Sequence, residues 1–405
     1  MELNKFKVAL YLFALPATEV YSAALDRSGQ SVAAFLQPNN YFEAGGTILD
    51  PNIKGKEAGI SKTRQKISNL GKDAYVISAA IKLQASDNFS FGILYDQPFG
   101  MDTEYKGNNS YVVNSESGEK GTKANVNSQN ISMLFGFQPD NKTNIYAGVV
   151  YQNINGSVGL QGANFSIFNG YEADIKNSSG IGWIAGIAYE IKEISLKTSL
   201  TYRSEINHKV QVNENIPLLA GIPNLHKLVE FSNERTKLTT PQSINLDLQT
   251  GIQKNTIVFT NIRWVNWKDS PIQPYKFGKV AEGIGSTVGR AEGFNFSDFY
   301  KNQLSITSGV GLKLNDQWAS SLSIGWDSGT GTPVGVFGPI NGYWNIGMNV
   351  RYSPTPNTFI AAGIKYFWLG DAKAQTASQF GGNDYVSKFE DSNAIGYGLK
   401  IGYTF

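Results

Sequence analysis

The last eleven residues of the chain, 395–405, alternate between two kinds of side chain without an error. Side chains of a β-strand point to opposite faces in turn, so this stretch predicts a strand with one apolar and one polar face. Its length matches the roughly 9–11 residues that a tilted strand needs to cross a bilayer. A soluble sheet can give the same alternation. The apolar positions are Ile395, Tyr397, Leu399, Ile401, Tyr403 and Phe405, and the small or polar ones are Gly396, Gly398, Lys400, Gly402 and Thr404.

The aromatic end of this strand favours the membrane. The strand finishes on Phe405, and it resembles the closing strand of bacterial outer-membrane barrels, whose final Phe is part of the assembly signal. The resemblance implies that Tyr403 and Phe405 are recognised by the barrel assembly machinery. The rest of the chain should then supply the strands that close a barrel against this one.

Composition narrows the remaining classes. The sequence contains no cysteine, which excludes disulfides and thiolate metal sites. Its 35 Lys and Arg nearly balance 33 Asp and Glu, so the chain has no excess of positive charge that would favour nucleic-acid binding. Beyond the N-terminus no stretch approaches the ~18 apolar residues of a transmembrane helix. A membrane protein of this composition must therefore be a barrel, because lipid tolerates only helices and closed barrels.

The N-terminal residues predict a secretory signal peptide over 1–24. Lys5 and Lys7 form a charged start, residues 8–17 are an apolar run, and Ser22-Ala-Ala24 is a small-residue cleavage site. Residues 25–40 are too few for a domain and are predicted to be a short plug, to which we assign Phe35, Leu36 and Pro38.

Residues 41–405 are predicted to form an all-β, transmembrane antiparallel β-barrel of about 14 strands in the outer membrane. Short turns alternate with long loops, which is typical of outer-membrane barrels, and an even strand number places both chain ends in the periplasm. The predicted strands are 41–55, 74–86, 89–98, 124–138, 143–162, 181–191, 194–212, 236–252, 256–267, 301–314, 317–328, 342–353, 358–370 and 393–405. The predicted long loops are 56–73, 99–123, 163–180, 213–235, 268–300, 329–341 and 371–392.

Strand parity places several charges in the lumen. In 194–212, Lys197, Arg203 and Glu205 lie opposite the apolar face, and Arg263 alternates with its apolar neighbours in the same way. A charge without a partner is costly to bury. Either each arginine pairs with a carboxylate such as Glu205, or one arginine is left to bind a carboxylate ligand.

Several segments resemble the FadL family of outer-membrane long-chain fatty acid transporters. Residues 91–105 are similar to the family's third strand and following loop, 199–205 (Ser-Leu-Thr-Tyr-Arg-Ser-Glu) is the most specific match, and 260–267 and the loop from Asp327 to Val334 are weaker ones. The family implies a fourteen-stranded barrel plugged by an N-terminal hatch, with ligand captured on apolar extracellular loops and released through the wall. Here the hatch is short, and Gln37-Pro-Asn39 stands where the family has an Asn-Pro-Ala turn.

Pro98 ends an otherwise regular strand. Proline donates no hydrogen bond to a neighbouring strand, so either the strand simply ends there or it kinks and leaves an unpaired opening in the wall, as the family's third strand does. On the second interpretation we assign Asp96, Pro98, Phe99 and Gly100 to a lateral gate.

Two loops carry apolar residues that predict a ligand-binding surface. The stretch 216–231 is too apolar for a loop with nothing to bind, and 163–180 could face it. The alternative is that the loops pack on each other as a lid. The predicted ligand-binding residues are Phe165, Ile167, Phe168, Tyr171, Leu218, Leu219, Ile222, Leu225, Leu228 and Phe231, together with Arg203 and Arg263.

The function predicted from these features is passive transport of hydrophobic molecules, with long-chain fatty acids first and aromatic hydrocarbons second. A general diffusion porin and a surface adhesin are the alternatives from other classes. We expect no enzyme, because His208 and His226 are the only histidines and neither has a suitably spaced nucleophile or carboxylate pair. We also expect no metal, no cofactor and no nucleic-acid partner. The expected partners of this monomer are the ligand, outer-membrane lipids and the assembly machinery.

Overall fold

The computed structural model describes residues 25–217 and 235–405. The predicted signal peptide lies outside the described residues. So do six of the predicted ligand-binding residues, namely Leu218, Leu219, Ile222, Leu225, Leu228 and Phe231.

Fourteen antiparallel strands form a closed barrel, which confirms the predicted fold and strand number. Each strand pairs with the next along the chain, and the last pairs with the first from Tyr41–Thr404 to Asn52–Asn393. The strands are β1 (Tyr41–Asn52), β2 (Ala74–Gln84), β3 (Phe89–Asp96), β4 (Lys123–Phe137), β5 (Thr143–Leu160), β6 (Tyr171–Ile191), β7 (Leu196–Arg203), β8 (Ser243–Gln253), β9 (Thr256–Val265), β10 (Gln303–Lys313), β11 (Trp318–Asp327), β12 (Tyr343–Thr355), β13 (Thr358–Leu369) and β14 (Asn393–Thr404).

The period-2 pattern decides which side chains face outward. On β6 the outward residues Ile181, Trp183 and Ile187 are 72%, 53% and 47% exposed, whereas Thr201 and Arg203 on β7 are buried inside. An apolar outer face around a polar interior is the arrangement that a barrel in lipid requires. Within the described residues, none of the helices has the length and apolar character needed to cross a membrane.

Strand β6 begins ten residues earlier than the sequence predicted, at Tyr171 and not at 181, whereas β5 keeps close to its predicted range. The expected loop 163–180 is in fact a short connection, because β6 begins at Tyr171 and pairs with β5 up to Leu160. Tyr171 and Ala173 are buried and Ile175 is half-buried, while the charged residues that alternate with them are exposed. This alternation was present in the sequence and carries the strand pair above the barrel rim.

Two predicted strands, 194–212 and 236–252, are each broken in the structure. Strand β7 ends at Arg203, and β8 starts after Pro241, which has no amide hydrogen to continue a ladder. The separated pieces form a ribbon of Ile206–Val210 with Thr236–Thr240, and Val212–Asn215 pairs with the upper part of β6.

The remaining loops build a folded cap on the extracellular side. Within the described residues, it contains a five-stranded sheet, called here the loop sheet, a hairpin, one α-helix and short 3-10 turns around a common apolar core. The loop sheet consists of Gly55–Glu57, Lys66–Ile67, Val334–Gly335, Ala372–Gln375 and Ser387–Phe389, the hairpin of Val112–Ser115 and Gly118–Gly121, and helix α1 of Tyr275–Ile284. The 3-10 turns of the cap are Ala163–Phe168, Gly285–Val288 and Ala377–Gln379, and a further one, Lys192–Ile194, forms the periplasmic turn between β6 and β7.

The N-terminal segment 25–40, called here the hatch, lies inside the lumen. Phe35 is fully buried and packs edge-on against Tyr146 on β5 with ring centroids 5.8 Å apart. Gly92 and Gly136 in the facing wall leave room for its ring, since a Cβ on Gly92 would lie 2.5 Å from Phe35 Cδ2. Of the other predicted plug residues, Leu36 is buried and Pro38 is half-buried. The hatch therefore fills the periplasmic half of the barrel.

Candidate functional site

A buried polar network fixes the start of the hatch to the barrel wall. Arg263 on β9 is fully buried, and its Nε donates to Asp26 Oδ2 at 2.8 Å. Its terminal nitrogens donate to Asn245 Oδ1 at 2.7 Å and to Gln30 Oε1 at 3.0 Å. A buried guanidinium needs a counter-charge and several acceptors. The hatch supplies the counter-charge and one further acceptor, and Ser243 and Asn245 of the wall supply two more. Arg263 thus pairs with a carboxylate, as the first interpretation expected, but that carboxylate is Asp26 and not Glu205.

Arg203 faces inward beside the same network but has a different set of partners. Its Nη2 donates to the backbone oxygen of Gln30 at 2.8 Å and its Nη1 to Ser132 Oγ at 3.4 Å. Its Nε is buried and has no hydrogen-bond partner among the described residues. Glu205 lies beyond the end of β7, is exposed, and accepts from Asn207 instead.

The third strand bends into the lumen at Pro98. Up to Asp96 it pairs with β2 on one side and β4 on the other. Beyond the bend, Gly100–Glu104 still pairs with β4 but no longer with β2, while Arg27 N donates to Pro98 O at 2.6 Å and Gly100 N to Leu25 O at 2.8 Å. The hatch thus replaces β2 as the neighbour of the bent segment.

The bend leaves an opening in the wall, called here the window. The Ala74–Ser78 part of β2 pairs with β1 but has no strand partner on its other side among the described residues. The Ala79–Tyr95 pair closes the window below and the Gly71–Thr103 bridge closes it above. One polar contact crosses it, from Ile77 N to Gln97 Oε1 at 2.9 Å.

An apolar cavity lies in the lumen above the hatch and reaches the bend. It holds about 1320 Å³ of empty space, counting the part open to solvent. Phe99 contributes to its lower end, packed edge-on against Trp267 at 5.6 Å with Leu25 and Phe299 beside them. Its walls come from the upper parts of β4, β5 and β6 and from the ribbon and loops above. Such a space suits a ligand without much polarity.

Charge is almost absent from the described lining of this cavity, where Asp298 is the single charged side chain. Asp298 is half-buried and accepts a hydrogen bond from Asn295 Nδ2 at 2.7 Å. Burial raises the pKa of the Asp298 carboxyl, against the opposing effects of Asn295 and the positive charge of Arg290. Within the described lining, an anionic ligand head would meet this carboxyl group and no lysine or arginine side chain.

A second, aromatic groove of about 540 Å³ lies further out between the loops. Phe168 and Phe277 stack in it at 4.3 Å, and Phe165 also lines it. Phe296 and Phe337, stacked at 5.6 Å, line both the groove and the apolar cavity. These two rings are therefore the partition between the outer groove and the inner space.

A smaller polar cavity adjoins the window on the hatch side. Its lining includes Val76 and Ser78 of the unpaired part of β2, together with Arg27, Asp96 and Arg203. The Asp96 carboxylate accepts from Ser28 Oγ of the hatch at 2.8 Å, and the Glu43 and Lys400 side chains of the wall pair with each other at 2.8 Å. The bend at Pro98 thus has an apolar cavity on one side and a polar one on the other.

The structure brings together some of the predicted site residues and separates others. Phe165 and Phe168 line the groove, while Ile167 and Tyr171 pack in the core beside it. The site also contains rings from the long loops after β9, β11 and β13, which the sequence does not reveal because a scattered Phe gives no periodic signal. Those residues are Phe277, Phe294, Phe296, Phe299, Phe337 and Phe380.

No metal centre is indicated in the described part of the chain, where no group of three or more His, Asp or Glu side chains is placed to hold an ion. His208 lies in the barrel interior with its Nε2 2.9 Å from Gln152 Oε1.

Residues 31–405 match the family described as outer membrane protein transport protein (OMPP1/FadL/TodX). No curated protein matches the chain in sequence.

Solved structures share the fold at low sequence identity. A FadL homologue of Pseudomonas aeruginosa superposes with a TM-score of 0.65 at 14% identity, covering 92% of each chain. The toluene transporter TodX of P. putida gives a TM-score of 0.58 at 12% identity over 92% of this chain and 91% of that one. The toluene transporter TbuX of Ralstonia pickettii gives 0.54 at 12% identity over the same shares.

Proposed function

Because the chain belongs to the OMPP1/FadL/TodX family of outer-membrane transport proteins, we propose that it carries hydrophobic molecules inward by binding them above the hatch and releasing them sideways through the window. The observation that carries this proposal is the bend at Pro98. It places the lower end of the apolar cavity, at Phe99, next to a gap between β2 and the bent strand. No energy source is needed, since each step moves an apolar molecule between apolar surroundings.

The proposed path has three stages. A hydrophobic molecule first adsorbs to the aromatic groove around Phe165 and Phe168. It then passes the Phe296–Phe337 partition into the apolar cavity. Finally it leaves past Phe99 through the window, because the hatch blocks the direct way to the periplasm.

Closing the window chemically tests the last stage. The sequence has no cysteine, so an Ile77→Cys/Gln97→Cys pair can be joined by a short bis-maleimide across the gap that the Ile77–Gln97 hydrogen bond already spans. Uptake of a hydrophobic substrate by whole cells should fall to the level of cells lacking the protein, and binding by the purified protein should persist.

The matched control joins two strands that are already paired. Ile324 and Ile346 are register partners on β11 and β12, and both are exposed to lipid. An Ile324→Cys/Ile346→Cys link should leave uptake unchanged. Full uptake by the protein with the linked window would show that ligand leaves by another route.

For the ligand itself, we propose that uncharged hydrophobic molecules are preferred. This places neutral hydrocarbons ahead of the fatty acids that the sequence analysis put first. The support is the described lining of the apolar cavity, in which the only charge is the Asp298 carboxylate. A fatty acid head would be repelled by it, whereas a neutral molecule would not.

Long-chain fatty acids remain the second candidate because of Arg203. Its buried Nε has no partner among the described residues and lies beside the polar cavity next to the window. A carboxylate bound there would gain a charged hydrogen bond of roughly 1.5–3 kcal/mol, or about tenfold to a hundredfold in affinity. Arg263 is less suited, since Asp26 already neutralises it.

Binding of a long-chain fatty acid and of its methyl ester separates the two candidates. If neutral molecules are preferred, the parent binds the ester more tightly, and Asp298→Asn narrows the difference by up to roughly tenfold as the repulsion is removed. If Arg203 receives a carboxylate, the parent prefers the acid, and Arg203→Gln abolishes that preference. Arg235→Gln, at an exposed arginine, is the control.

A further inference from the structure

Four lysines lie side by side on the loop sheet. Lys56 is the register partner of Lys66 on one side and of Lys388 on the other, and Lys388 is in turn the partner of Lys373. Neighbouring strands are about 4.8 Å apart, so the four side chains form a line roughly 14 Å long. We call it the lysine row.

All four lysines lie on the outer face of the sheet. The residues that alternate with them point the other way and are buried, including Glu57, Ile67, Ala374 and Phe389. The lysine side chains are exposed, except for that of Lys388, which is half-buried. The row is therefore a feature of the surface and not of the apolar core beneath the sheet.

Like charges opposite each other on neighbouring strands destabilise a sheet, and the row is only partly neutralised from within the described chain. Lys388 pairs with Glu390, and Asp371 lies near it. Lys373 lies over the Tyr385 ring at 4.8 Å. Neither Lys56 nor Lys66 forms an ion pair with a described residue, although Lys56 also feels the charge of Glu390. The arrangement retains positive charge on its outer face.

The row faces the same side as the lipid-exposed wall. Along β1 and its continuation, Ile48, Asp50, Lys54 and Lys56 are exposed, whereas Ile53 between them is fully buried. The alternation thus continues unbroken from the barrel into the loop sheet. The lysines therefore lie above the apolar band of the barrel, on the side that faces the surrounding lipids.

The height of the row can be read from the outward tryptophans. Trp344 and Trp368 are register partners, each just over half exposed, and they mark the upper edge of the lipid-facing band. Lys373 follows Trp368 by five residues. Strand β13 ends at Leu369, so these residues are not one continuous strand. Even a fully extended chain of five residues spans at most roughly 18 Å, which keeps the row at the level of lipid headgroups.

We propose that the lysine row binds the phosphate groups of the lipopolysaccharide molecules that surround the barrel in the outer leaflet. The partner follows from charge and position together. It must be anionic, must present charges over a distance of roughly 14 Å, and must lie beside the wall at headgroup height. A phosphorylated glycolipid of the outer leaflet meets all three conditions.

The test compares lipid binding by the full-length protein in detergent with that of a Lys56→Gln/Lys66→Gln variant. The probes are bisphosphorylated lipid A and the same lipid after enzymatic removal of its phosphates. The parent should bind the phosphorylated form at least tenfold more tightly than the other. The variant should lose roughly 10- to 30-fold for the phosphorylated lipid and little for the dephosphorylated one.

The matched control is Lys120→Gln/Lys279→Gln, which removes the same charge from exposed lysines elsewhere on the extracellular side. It should bind as the parent does, and both variants should show the heat-dependent gel migration of a folded barrel. Unchanged lipid binding by the Lys56/Lys66 variant would overturn the proposal. So would equal lysine-dependent binding of the phosphorylated and dephosphorylated lipids, which would show that the lysines contact the sugar and amide groups and not the phosphates.

Discussion

The two halves of the barrel interior are filled in opposite ways. The periplasmic half contains the hatch, held by directed polar bonds such as Arg263 to Asp26 and Asn245, with Phe35 seated in a space cleared by glycines. The extracellular half is lined by apolar side chains and keeps an open cavity. Polar bonds fix one position of a segment, whereas apolar walls accept many ligand positions. The periplasmic half is therefore suited to block passage through the lumen, and the extracellular half is suited to bind ligand.

Of the substitutions considered, Asp26→Ala is expected to change the difference between the two halves most, because it releases the start of the hatch. The substitution leaves the Arg263 guanidinium buried without its carboxylate, which typically costs about 3–5 kcal/mol. The start of the hatch should leave its site, so that residues 25–31 become accessible to protease and single-channel conductance in a planar bilayer rises. The lower half would then lose its blocking role while the apolar cavity persists.

An apolar double replacement is the control for that experiment. Asp26→Leu combined with Arg263→Met removes both charges together, which is often close to neutral for a buried pair. Its conductance should lie near that of the parent. If the Asp26→Ala variant has the conductance and the protease protection of the parent, the other contacts of the hatch are enough to hold it in place.

A smaller effect is expected from Gly92→Val. A Cβ at this position would lie 2.5 Å from Phe35 Cδ2, and overpacking a buried ring costs about 1–3 kcal/mol. Urea unfolding in micelles should show this loss of stability. Gly46→Val is the matched control, since the nearest atom to a Cβ there is Val76 O at 4.0 Å. Equal stability of the two variants would contradict the claim that the Phe35 ring packs closely against Gly92.

The smallest effect concerns the upper half. Phe337→Ala removes one ring of the Phe296–Phe337 partition, and such aromatic pairs contribute about 0.5–1.5 kcal/mol. Binding of a hydrophobic fluorophore should weaken about two- to tenfold while its association becomes faster. Phe89→Ala, at a ring exposed to lipid, should change neither rate nor affinity. Slower association in Phe337→Ala would show that the ring guides ligand and does not obstruct it.

The sequence predicted most reliably what depends on local alternation. The fourteen strands and the inward direction of Arg203 and Arg263 follow from a period of two along single strands, and both agree with the structure. The strand over 171–180 was missed because charged residues alternate there with the small side chain of Ala173. Periodicity reveals a strand most clearly when its apolar residues are large.

What the sequence could not give depends on contacts between distant segments. Asp26 and Arg263 are 237 residues apart, and nothing near either of them indicates the pairing. The aromatic groove likewise collects rings from several loops, each of which looks irregular by itself. Pro98 did mark the bend, but the anchoring of the bent segment by Leu25 and Arg27 depends on the path of the hatch.

The junction between hatch and barrel has a consequence for the order of assembly. Asn40 is followed directly by β1, its backbone oxygen accepts from Phe405 N at 3.0 Å, and Asn39 O accepts from Lys82 Nζ at 2.8 Å. The hatch is therefore tethered at the seam where the first and last strands meet. Because the hatch is tethered there and carries the bulky Phe35, it enters the lumen most easily before β1 and β14 have paired. Pairing of the first and last strands would then close the barrel and block its lumen in one step, and no open channel would form during assembly.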